Sequence, residues 1–363
     1  MSLRVGLVGL PNVGKSTLFN AVSQAGAEAE NFPFCTIDPN IGIVPVPDPR
    51  LEHLAELAGS DKVTATAIEF VDIAGLVAGA SQGEGLGNQF LAHIREVDAV
   101  CHVVRCFDDP DVVHVAGAVD PERDIEVIDT ELALKDLETV ERRLERTQRA
   151  AKSGDRDTIV EAEQLAALRD HLSDAGPART FPWPGTGQLR RELSLLTDKP
   201  VLFAANVSEG DLPDGNQYVE VVRKLAEDRD AEVVVVSAKV ESELTELGPD
   251  ERADFLADLG LERSGLERLI ESAYDLLGLI TFFTTGPKET RARTVPAGSA
   301  SPRAAREIHT DMERGFIRAE VMTYDDYASH GSEAAVRDAG RLRTEGKDYL
   351  VQDGDVCYFR FNV

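Results

Sequence analysis

The chain has 363 residues, 42% of them hydrophobic, so it is long enough for two domains or for one domain with an insertion. Its 65 acidic and 38 basic residues give a net charge of −27, which argues against broad non-specific binding to nucleic acid, because such binding needs Lys and Arg to displace counterions. No run of about 18 apolar residues predicts a membrane span, and the N-terminal apolar segment is too short for a signal peptide. The four cysteines form no CxxC pair, which is typical of reduced thiols in a cytoplasmic protein.

The first motif lies between a predicted strand and a predicted helix. Residues 4–9 (RVGLVG) are apolar and rich in Val, like a buried parallel strand, and KSTLFNAVSQA has apolar residues at helical spacing. Between them GLPNVGKS, residues 9–16, has the G-x-x-x-x-G-K-S spacing of a phosphate-binding P-loop. Its glycines let several backbone N–H groups point at one phosphate chain. Lys15 is expected to reach the β- and γ-phosphates, Ser16 to ligate Mg²⁺ and Thr17 to help hold the α-phosphate.

A second apolar run, residues 68–72 (IEFVD), ends in an acidic residue and is followed by Gly75. Asp72 is expected to hold a water on Mg²⁺, and the Gly75 N–H to approach the γ-phosphate. Thr36, on NFPFCTIDPN between the two motifs, is a candidate second hydroxyl ligand for Mg²⁺ on a loop that the γ-phosphate orders. The alternative is a surface turn residue. Cys35 beside it is either a thiol whose oxidation gates nucleotide binding or a small buried hydrophobe.

Three further apolar runs, residues 99–105, 200–207 and 231–238, are separated by helical segments. This alternation predicts an α/β fold with a mostly parallel sheet. The loops after the last two runs, NVSEG and SAKVE, then lie at the carboxyl edge of the sheet, where the base of a nucleotide is expected.

The NVSE loop, residues 206–209, stands where a guanine site of this superclass has N-K-x-D. It has no Lys to lie over the base, and Glu209 displaces its carboxylate oxygens by about 1.5 Å relative to Asp, so two-pronged recognition of guanine fails. Asn206 and the backbone of Val207 are expected to recognise N6–H₂ and N7 of adenine instead. ATP is therefore expected in preference to GTP, and the alternative is relaxed specificity with both bound. The residues expected to line the base pocket are Asn206, Val207, Glu209, Ser237 and Ala238.

Taken together, these motifs resemble the Obg-like ATPases, also called the YchF family, within the Obg branch of translation-factor GTPases. The resemblance covers nearly the whole chain and includes DIAGLVAGASQGEGLGN and the C-terminal VQDGDVCYFRFNV. It implies binding and hydrolysis of ATP, with Mg²⁺ held by Ser16 and Thr36. It also implies nucleotide contacts from one continuous segment of the P-loop: Asn12, Val13, Gly14, Lys15, Ser16 and Thr17.

The residue that orients the attacking water is less evident. Leu76 stands where many GTPases carry a Gln after D-x-x-G, and an apolar side chain cannot orient water. His114, in DDPDVVHVAG, resembles the proposed catalytic His of the family, and an imidazole with its ordinary pKa near neutrality suits the role. Lys15 and His114 are therefore the expected catalytic residues. The alternative for His114 is a structural residue that packs beside the neighbouring valines Val112, Val113 and Val115.

The remaining segments predict an insertion and a second domain. Residues 121–176 are charged and helical in pattern with a break at SGD, which predicts an antiparallel coiled-coil hairpin inside a nucleotide domain of residues 1–277. Residues 278–363 resemble a TGS domain, a small α+β half-barrel of ubiquitin-like shape, in which SPRAAREIHTDMERG is expected to form one helix capped by Ser301. On the hairpin, a basic cluster is a candidate contact for RNA phosphates: Arg142, Arg143, Arg146 and Arg149.

These observations predict a cytoplasmic, Mg²⁺-dependent ATPase that acts as a switch and associates with the ribosome, through its large subunit, or with RNA. No membrane contact is expected, and a monomer is expected. Two alternatives remain at this point. One is an ATP-dependent binding module whose hydrolysis is incidental, which Leu76 favours and His114 disfavours. The other is a GTPase, with strict or relaxed base specificity.

Overall fold

A computed structural model describes residues 3–28, 40–73, 86–185, 187–229 and 231–362. Its strands are β1 (Arg4–Val8), β2 (Ile41–Pro45), β3 (Val63–Thr64), β4 (Ala67–Asp72), β5 (Ala99–Arg105), β6 (Val201–Asn206), β7 (Glu232–Val236), β8 (Leu279–Thr284), β9 (Thr290–Pro296), β10 (Phe316–Thr323), β11 (Arg343–Glu345) and β12 (Asp355–Phe361). Its α-helices are α1 (Lys15–Glu28), α2 (Pro49–Ala58), α3 (Leu86–Glu96), α4 (Pro121–Ala151), α5 (Arg156–Ser173), α6 (Gln188–Leu193), α7 (Gln217–Glu227), α8 (Ala238–Leu244), α9 (Pro249–Asp258), α10 (Gly265–Leu276), α11 (Ser301–Arg306), α12 (Thr310–Arg314), α13 (Tyr324–His330) and α14 (Glu333–Asp338).

The described residues form two compact units. The first comprises residues 3–27, 40–42 and 69–272, and the second comprises residues 43–68 and 273–362. The second unit begins again at residue 273 and also contains residues 43–68, a grouping that no sequence pattern suggested. The boundary at residues 277 and 278 stays a prediction. Within the described ranges, no helix combines the length and the apolar character that crossing a bilayer requires.

The first unit is built on a sheet with the strand order β2-β4-β1-β5-β6-β7. From β4 to β7 the neighbouring strands pair in parallel, as the apolar runs predicted. The register places Leu7 opposite Asp72 and Val8 opposite His102. All seven residues of β5 are buried, which is typical of a central parallel strand. The carboxyl ends of these strands meet at one edge, so the P-loop and the loops after β5, β6 and β7 are neighbours.

The predicted helical hairpin is present as α4 and α5. Asp120 caps the first helix by accepting a hydrogen bond from the Arg123 N–H, and Asp155 caps the second. Apolar residues of the two helices share one core cluster with the segment that follows them: Val140, Leu144, Leu165, Leu168, Leu172, Ala178 and Leu195. Halfway along its length α4 is fixed by Asp136, a buried carboxylate that accepts hydrogen bonds from the backbone N–H of Leu196 at 2.8 Å and of Thr197 at 2.7 Å.

The basic cluster expected on the hairpin is largely paired with acids. Arg142 forms an ion pair with Glu138, Arg143 with Glu161 and Glu192, and Arg149 with Glu145. Exposed pairs of this kind contribute little to stability, but they neutralise the charge that phosphate recognition needs. These three arginines are thus engaged with acids on the hairpin, and their contact with RNA phosphates stays a prediction.

The second unit has a mixed sheet with the order β11-β10-β12-β8-β9-β3. β8 pairs antiparallel with β9 and β10 antiparallel with β12, whereas β12 and β8 are parallel. This agrees with the α+β fold expected of the C-terminal part. The expectation of a single helix from SPRAAREIHTDMERG is wrong, because the segment forms α11 and α12 with a break at which His309 caps the second helix. Ala300 is the N-cap of α11, and Ser301 is its first helical residue.

Candidate nucleotide-binding site

The P-loop connects β1 to α1 and requires glycine at two positions. Gly14 has φ of +93°, and a Cβ there would overlap the side-chain amide of Asn206. A Cβ on Gly9 would come within 2.7 Å of the Val103 carbonyl oxygen. Asn12 also lies in the left-handed region, at φ of +63°, where Asn is tolerated better than most residues. This is a backbone cradle that side chains would fill, as expected for a phosphate-binding loop.

Lys15 contacts Asp72 in an ion pair between Nζ and Oδ1. The parallel register of β1 and β4 brings the two residues together, because Asp72 ends β4 next to the strand that leads into the P-loop. Lys15 is only 9% exposed. The ammonium predicted to contact phosphate is thus held by a carboxylate, and a triphosphate would compete with Asp72 for it.

Asn206, the last residue of β6, ties the P-loop to the loop after β7. Its Nδ2 donates a hydrogen bond to the Val13 carbonyl at 2.8 Å, and its Oδ1 accepts one from the Ala238 N–H at 2.9 Å. The side chain is buried, at 3% exposure. One N–H and one lone pair of the amide remain for a ligand. Asn206 thus fixes the position of the P-loop relative to the segment that follows β7.

Val207 differs from the expectation that its backbone recognises N7 of adenine. Its N–H donates to the Val236 carbonyl at 2.8 Å, so this donor is used within the sheet. Its side chain is 3% exposed and belongs to the core cluster behind the loop. Recognition of N7 by the Val207 N–H is therefore wrong, and only the carbonyl of this residue is left as a hydrogen-bonding group.

A cavity of about 720 Å³ runs along these loops. This volume lies in the range of sites for nucleotide-sized ligands. The residues that line it come from the P-loop and α1, from the loop after β5, from the loop after β6, and from Ser237 and α8: Asn12, Gly14, Thr17, Phe107, Asp108, Asp109, Val112, Asn206, Val207, Ser208, Glu209, Gly210, Ser237, Ala238, Lys239, Ser242 and Glu243. The structure thus brings part of the P-loop and the residues predicted for the base pocket to one cavity, whereas Lys15 and Ser16 are not among the described residues that line it.

Ser237 contributes a polar atom to this cavity that the protein itself does not satisfy. The residue is 1% exposed, and among the described residues its Oγ has no hydrogen-bond partner. A buried hydroxyl without a partner is costly. A ligand in the cavity would supply that partner, so the site suits a molecule with hydrogen-bonding groups at this end.

The oxygen donors available for Mg²⁺ fit a hard cation at the phosphate end. Ser16 is exposed at the start of α1, and Asp72 is half-buried at the end of β4. No cluster of three or more His, Cys, Asp or Glu within the described ranges could hold a metal ion by itself. A magnesium ion here would therefore depend on phosphate oxygens as well as on protein ligands, which is how Mg²⁺ usually binds beside nucleotides.

Residues 107–119, here called the His114 loop, follow β5 and are held by side chains from other elements. Arg105 is 2% exposed, and its guanidinium donates hydrogen bonds to the carbonyls of Phe107 at 3.1 Å and Val112 at 3.0 Å. Asn12 of the P-loop donates from Nδ2 to the Val113 carbonyl at 3.0 Å. The P-loop and the His114 loop are thus directly connected.

His114 itself is buried, and both of its ring nitrogens are engaged. Nε2 lies 2.8 Å from Oδ2 of Asp124, and the Ala116 N–H donates to Nδ1 at 3.1 Å. The residue lines a second cavity of about 440 Å³ that Arg105 and the His114 loop enclose, and it is not among the described residues that line the nucleotide cavity. The structure places His114 in this second cavity, and its expected role beside the phosphates stays a prediction.

The alternative expectation for His114, a structural residue, stays open. Its neighbours Val113 and Val115 are 74% and 55% exposed, whereas Val112 is half-buried and lines the same cavity as His114. The structure gives the buried imidazole a further contact, to Asp124 ten residues further along the chain.

Comparison with known proteins gives matches over the whole chain. One family model, described as 50S ribosome-binding GTPase, matches residues 4–153, and another, YchF-GTPase_C, described as a protein of unknown function, matches residues 279–362. Ribosome-binding ATPase YchF of Bacillus subtilis (strain 168) is 54% identical, and that of Escherichia coli O157:H7 is 51% identical, with 100% of each chain covered in both comparisons. The solved structure of the Schizosaccharomyces pombe YchF GTPase is 37% identical, with a TM-score of 0.90 over 99% of this chain and 98% of that chain.

The chain belongs to the YchF family. The resemblance drawn from the motifs is thereby confirmed, as is the fold class: a P-loop unit with a mostly parallel sheet, and a C-terminal unit with a mixed sheet.

Some predicted site residues of this YchF chain fall outside the described ranges. These are Thr36 and Gly75, and with them Cys35 and Leu76. Their expected roles in magnesium coordination, in contact with the γ-phosphate and in redox control stay predictions.

Several residues that line the nucleotide cavity were not predicted from the sequence. Phe107, Asp108 and Asp109 come from the start of the His114 loop, and Lys239 follows Ala238 in the first turn of α8. The signal that identified the loops after β6 and β7 was available for the first three, because β5 ends at the same edge of the sheet. Arg105 was also missed, since a charged residue at a strand end resembles many surface arginines.

Proposed function

We propose that this YchF chain binds ATP and Mg²⁺ in the cavity of about 720 Å³ and hydrolyses ATP to ADP and phosphate as a conformational switch. The observation that carries the proposal is that one cavity joins a P-loop at one end to the NVSE and SAK loops at the other. The relatives named ribosome-binding ATPase, 54% and 51% identical over their full length, support the same activity.

At the phosphate end, nucleotide binding changes the partner of Lys15. The ammonium leaves Asp72 and contacts the β- and γ-phosphates, and the Asp72 carboxylate becomes available to the magnesium site. Ser16, Asp72 and Thr36 are the proposed magnesium ligands, with Gly75 near the γ-phosphate. When bound, Mg²⁺ neutralises charge that develops on the phosphate oxygens. The protein contributes the positions of these oxygen donors and of Lys15.

At the base end, the cavity favours adenine because the groups for guanine are missing. Position 207 is a buried Val where a Lys would lie over the base, and Glu209 begins a short turn of 3₁₀-helix instead of presenting an Asp. The Val207 carbonyl is left to accept a hydrogen bond from N6–H₂, and the Ser237 hydroxyl is free to donate one to a ring nitrogen. These groups match the donor and acceptor pattern of adenine.

Hydrolysis requires a group that orients water, and we assign this role to His114, with Lys15 stabilising charge on the phosphates. Since both ring nitrogens of His114 are engaged in the described state, the imidazole must leave this arrangement before it can act. Slow hydrolysis in the absence of a partner follows from that requirement.

The proposed partner is the ribosome, which rests on the names of the relatives and not on the charge of the hairpin. A net charge of −27 and the paired arginines of α4 give no support to contact with RNA phosphates. We propose a monomer in the cytoplasm.

The second candidate, an ATP-dependent binding module, gains support from the engaged state of His114. Single-turnover hydrolysis with and without ribosomes separates the two, because only the switch enzyme is strongly accelerated.

The base assignment is tested by equilibrium competition between ATP and GTP. Wild type is expected to bind ATP more tightly, and the double variant Val207→Lys with Glu209→Asp to shift the ATP-to-GTP affinity ratio toward GTP by about tenfold, since a restored carboxylate fork reads guanine. Val207→Lys alone is the matched control for loss of packing, and thermal unfolding shows whether the variants stay folded. Tenfold tighter binding of GTP by wild type would contradict the proposal.

A further inference from the structure

The contact between His114 and Asp124 fixes the state of the imidazole. Both side chains are 3% exposed, and the Ala116 N–H donates to Nδ1. A nitrogen that accepts a hydrogen bond carries a lone pair, so in the neutral imidazole the proton is on Nε2, which donates to the Asp124 carboxylate at 2.8 Å. In this arrangement neither nitrogen offers a free lone pair to a water molecule.

Asp124 is not part of the His114 loop but of the first turn of α4. That helix begins at Pro121 and runs for 31 residues to Ala151, just before the turn of the hairpin. Arg123 supports the carboxylate from the same turn, because its Nη2 lies 3.2 Å from Asp124 Oδ1 and donates to the Ala118 carbonyl at 2.7 Å. The partner of the imidazole therefore belongs to the element that also forms the hairpin.

The other side of the His114 loop is connected to the P-loop. Asn12 donates to the carbonyl of Val113, the residue directly before His114. His114 thus lies on a segment with one attachment to the phosphate-binding loop and another to the base of the hairpin. Displacement of either attachment changes the position of the imidazole.

We propose that Asp124 is a positioning residue that restrains His114, so that the hairpin helix controls ATP hydrolysis through this one carboxylate. The inference rests on the proposed function, in which His114 orients the attacking water. With the contact intact, Nε2 donates its proton to Asp124 and the lone pair of Nδ1 accepts from the Ala116 N–H, so neither nitrogen is available to a water molecule. Movement of α4 breaks the contact to Asp124 and lets the ring turn, which makes the Nδ1 lone pair available as an acceptor and Nε2–H as a donor.

The test compares Asp124→Asn with wild type in single-turnover hydrolysis at saturating ATP and without ribosomes. The Asn side chain keeps the shape and an acceptor oxygen but removes the charge, which makes the hydrogen bond about half as strong. Hydrolysis is expected to become about threefold to tenfold faster with an unchanged Kd for ATP, because only the restraint is weakened. A merely structural role for Asp124 would not raise the rate.

The matched control is Asp136→Asn, a buried Asp on the same helix that holds Leu196 and Thr197 and does not contact His114. It is expected to lower stability without accelerating hydrolysis. A second readout is the ¹⁵N spectrum of the His114 imidazole, which reports protonation at Nε2 in wild type and a mixture of tautomers in Asp124→Asn. An unchanged or slower rate in Asp124→Asn overturns the restraint.

Failure of the proposed function gives a different result. If His114→Ala hydrolyses ATP as fast as wild type, the catalytic assignment of His114 is wrong, and the restraint is wrong with it. If His114→Ala is slow and Asp124→Asn is not faster than wild type, the assignment of His114 stands and the restraint alone is overturned. If both are confirmed, the double variant is as slow as His114→Ala.

Discussion

The P-loop and the His114 loop follow neighbouring parallel strands, β1 and β5, and yet they are held in different ways. The P-loop depends on its glycines, with Gly14 in a conformation and at a distance that a side chain would not permit, and on one hydrogen bond from the distant Asn206 to the Val13 carbonyl. The His114 loop depends on side chains that come from Arg105, Asn12 and Asp124. The first loop is therefore specified mainly by its glycine spacing, and the second is specified by side-chain contacts.

The largest effect expected from this comparison is that of Gly14→Ala on nucleotide binding. The new Cβ would require a left-handed conformation at φ of +93° and would overlap the Asn206 amide. Strain of about 1–3 kcal/mol for the backbone alone, added to the displaced Asn206, is expected to weaken ATP binding by about 100-fold. Isothermal titration calorimetry with ATP measures it.

Gly117→Ala is the matched control within the His114 loop. Gly117 has φ of +83°, but a Cβ there meets no atom within 4 Å. Its cost is the backbone strain alone, and ATP affinity is expected to stay within about threefold of wild type. Equal losses of affinity in the two variants would contradict this expectation, because they would show that Gly14 matters only through its φ angle and not through its distance to Asn206.

The next largest effect is that of Arg105→Gln on the stability of the first unit. Arg105 is 2% exposed and donates to the carbonyls of Phe107 and Val112. A shorter neutral side chain leaves these part-buried carbonyls without the donors that Arg105 supplies, so the free energy of unfolding is expected to fall by about 2–4 kcal/mol. Urea unfolding measures the loss, and hydrogen exchange should show faster exchange in residues 107–119.

The control for this variant is Arg223→Gln, which removes an exposed arginine that pairs with Glu220 on the surface of α7. It is expected to change stability by about 0.5 kcal/mol or less. Slow exchange of the His114 loop in Arg105→Gln would show that the loop holds its conformation without Arg105.

The same comparison explains which parts of the site the sequence predicts. Glycine spacing, apolar strand runs and cap residues act within a few positions, so the P-loop, the parallel sheet and the hairpin were predictable. The pairs His114–Asp124 and Asn12–Val113 join residues that local patterns do not relate, and their formation depends on packing of the whole unit. The NVSE motif predicts that Asn206 lies in the site. It does not predict the hydrogen bonds of Asn206 with Val13 and Ala238.

The C-terminal unit shows the same limit at the level of chain organisation. Residues 43–68 group with this unit because Leu51 and Leu54 of α2 share a core cluster with Phe283 and Met322. The amphipathic pattern of α2 indicates that the helix buries one face, but it does not indicate which apolar surface that face meets.

The smallest effect concerns His102, which lies on β5 opposite the last residue of β1. Burial, with a contribution from the charge of Arg229, lowers the pKa of His102 to about 3. An unfolded His titrates with a pKa of about 6.5, so between these values only the unfolded chain binds the proton. The free energy of unfolding therefore falls as the pH drops below about 6.5, by at most about 1.4 kcal/mol per pH unit.

Other buried groups act in the opposite direction, which is why a variant is needed to isolate His102. Burial raises the pKa of Asp129 and of Asp136, so at these groups the folded chain binds a proton more tightly than the unfolded chain and gains stability as the pH falls. In His102→Leu, stability is expected to fall by about 1–2 kcal/mol less than in wild type between pH 7 and pH 5, as urea unfolding measures. The exposed His330, replaced by Gln, should follow the wild-type curve. If the His102→Leu curve also ran parallel to wild type, His102 would have to bind its proton in the folded sheet as readily as in the unfolded chain, and burial on β5 would not lower its pKa.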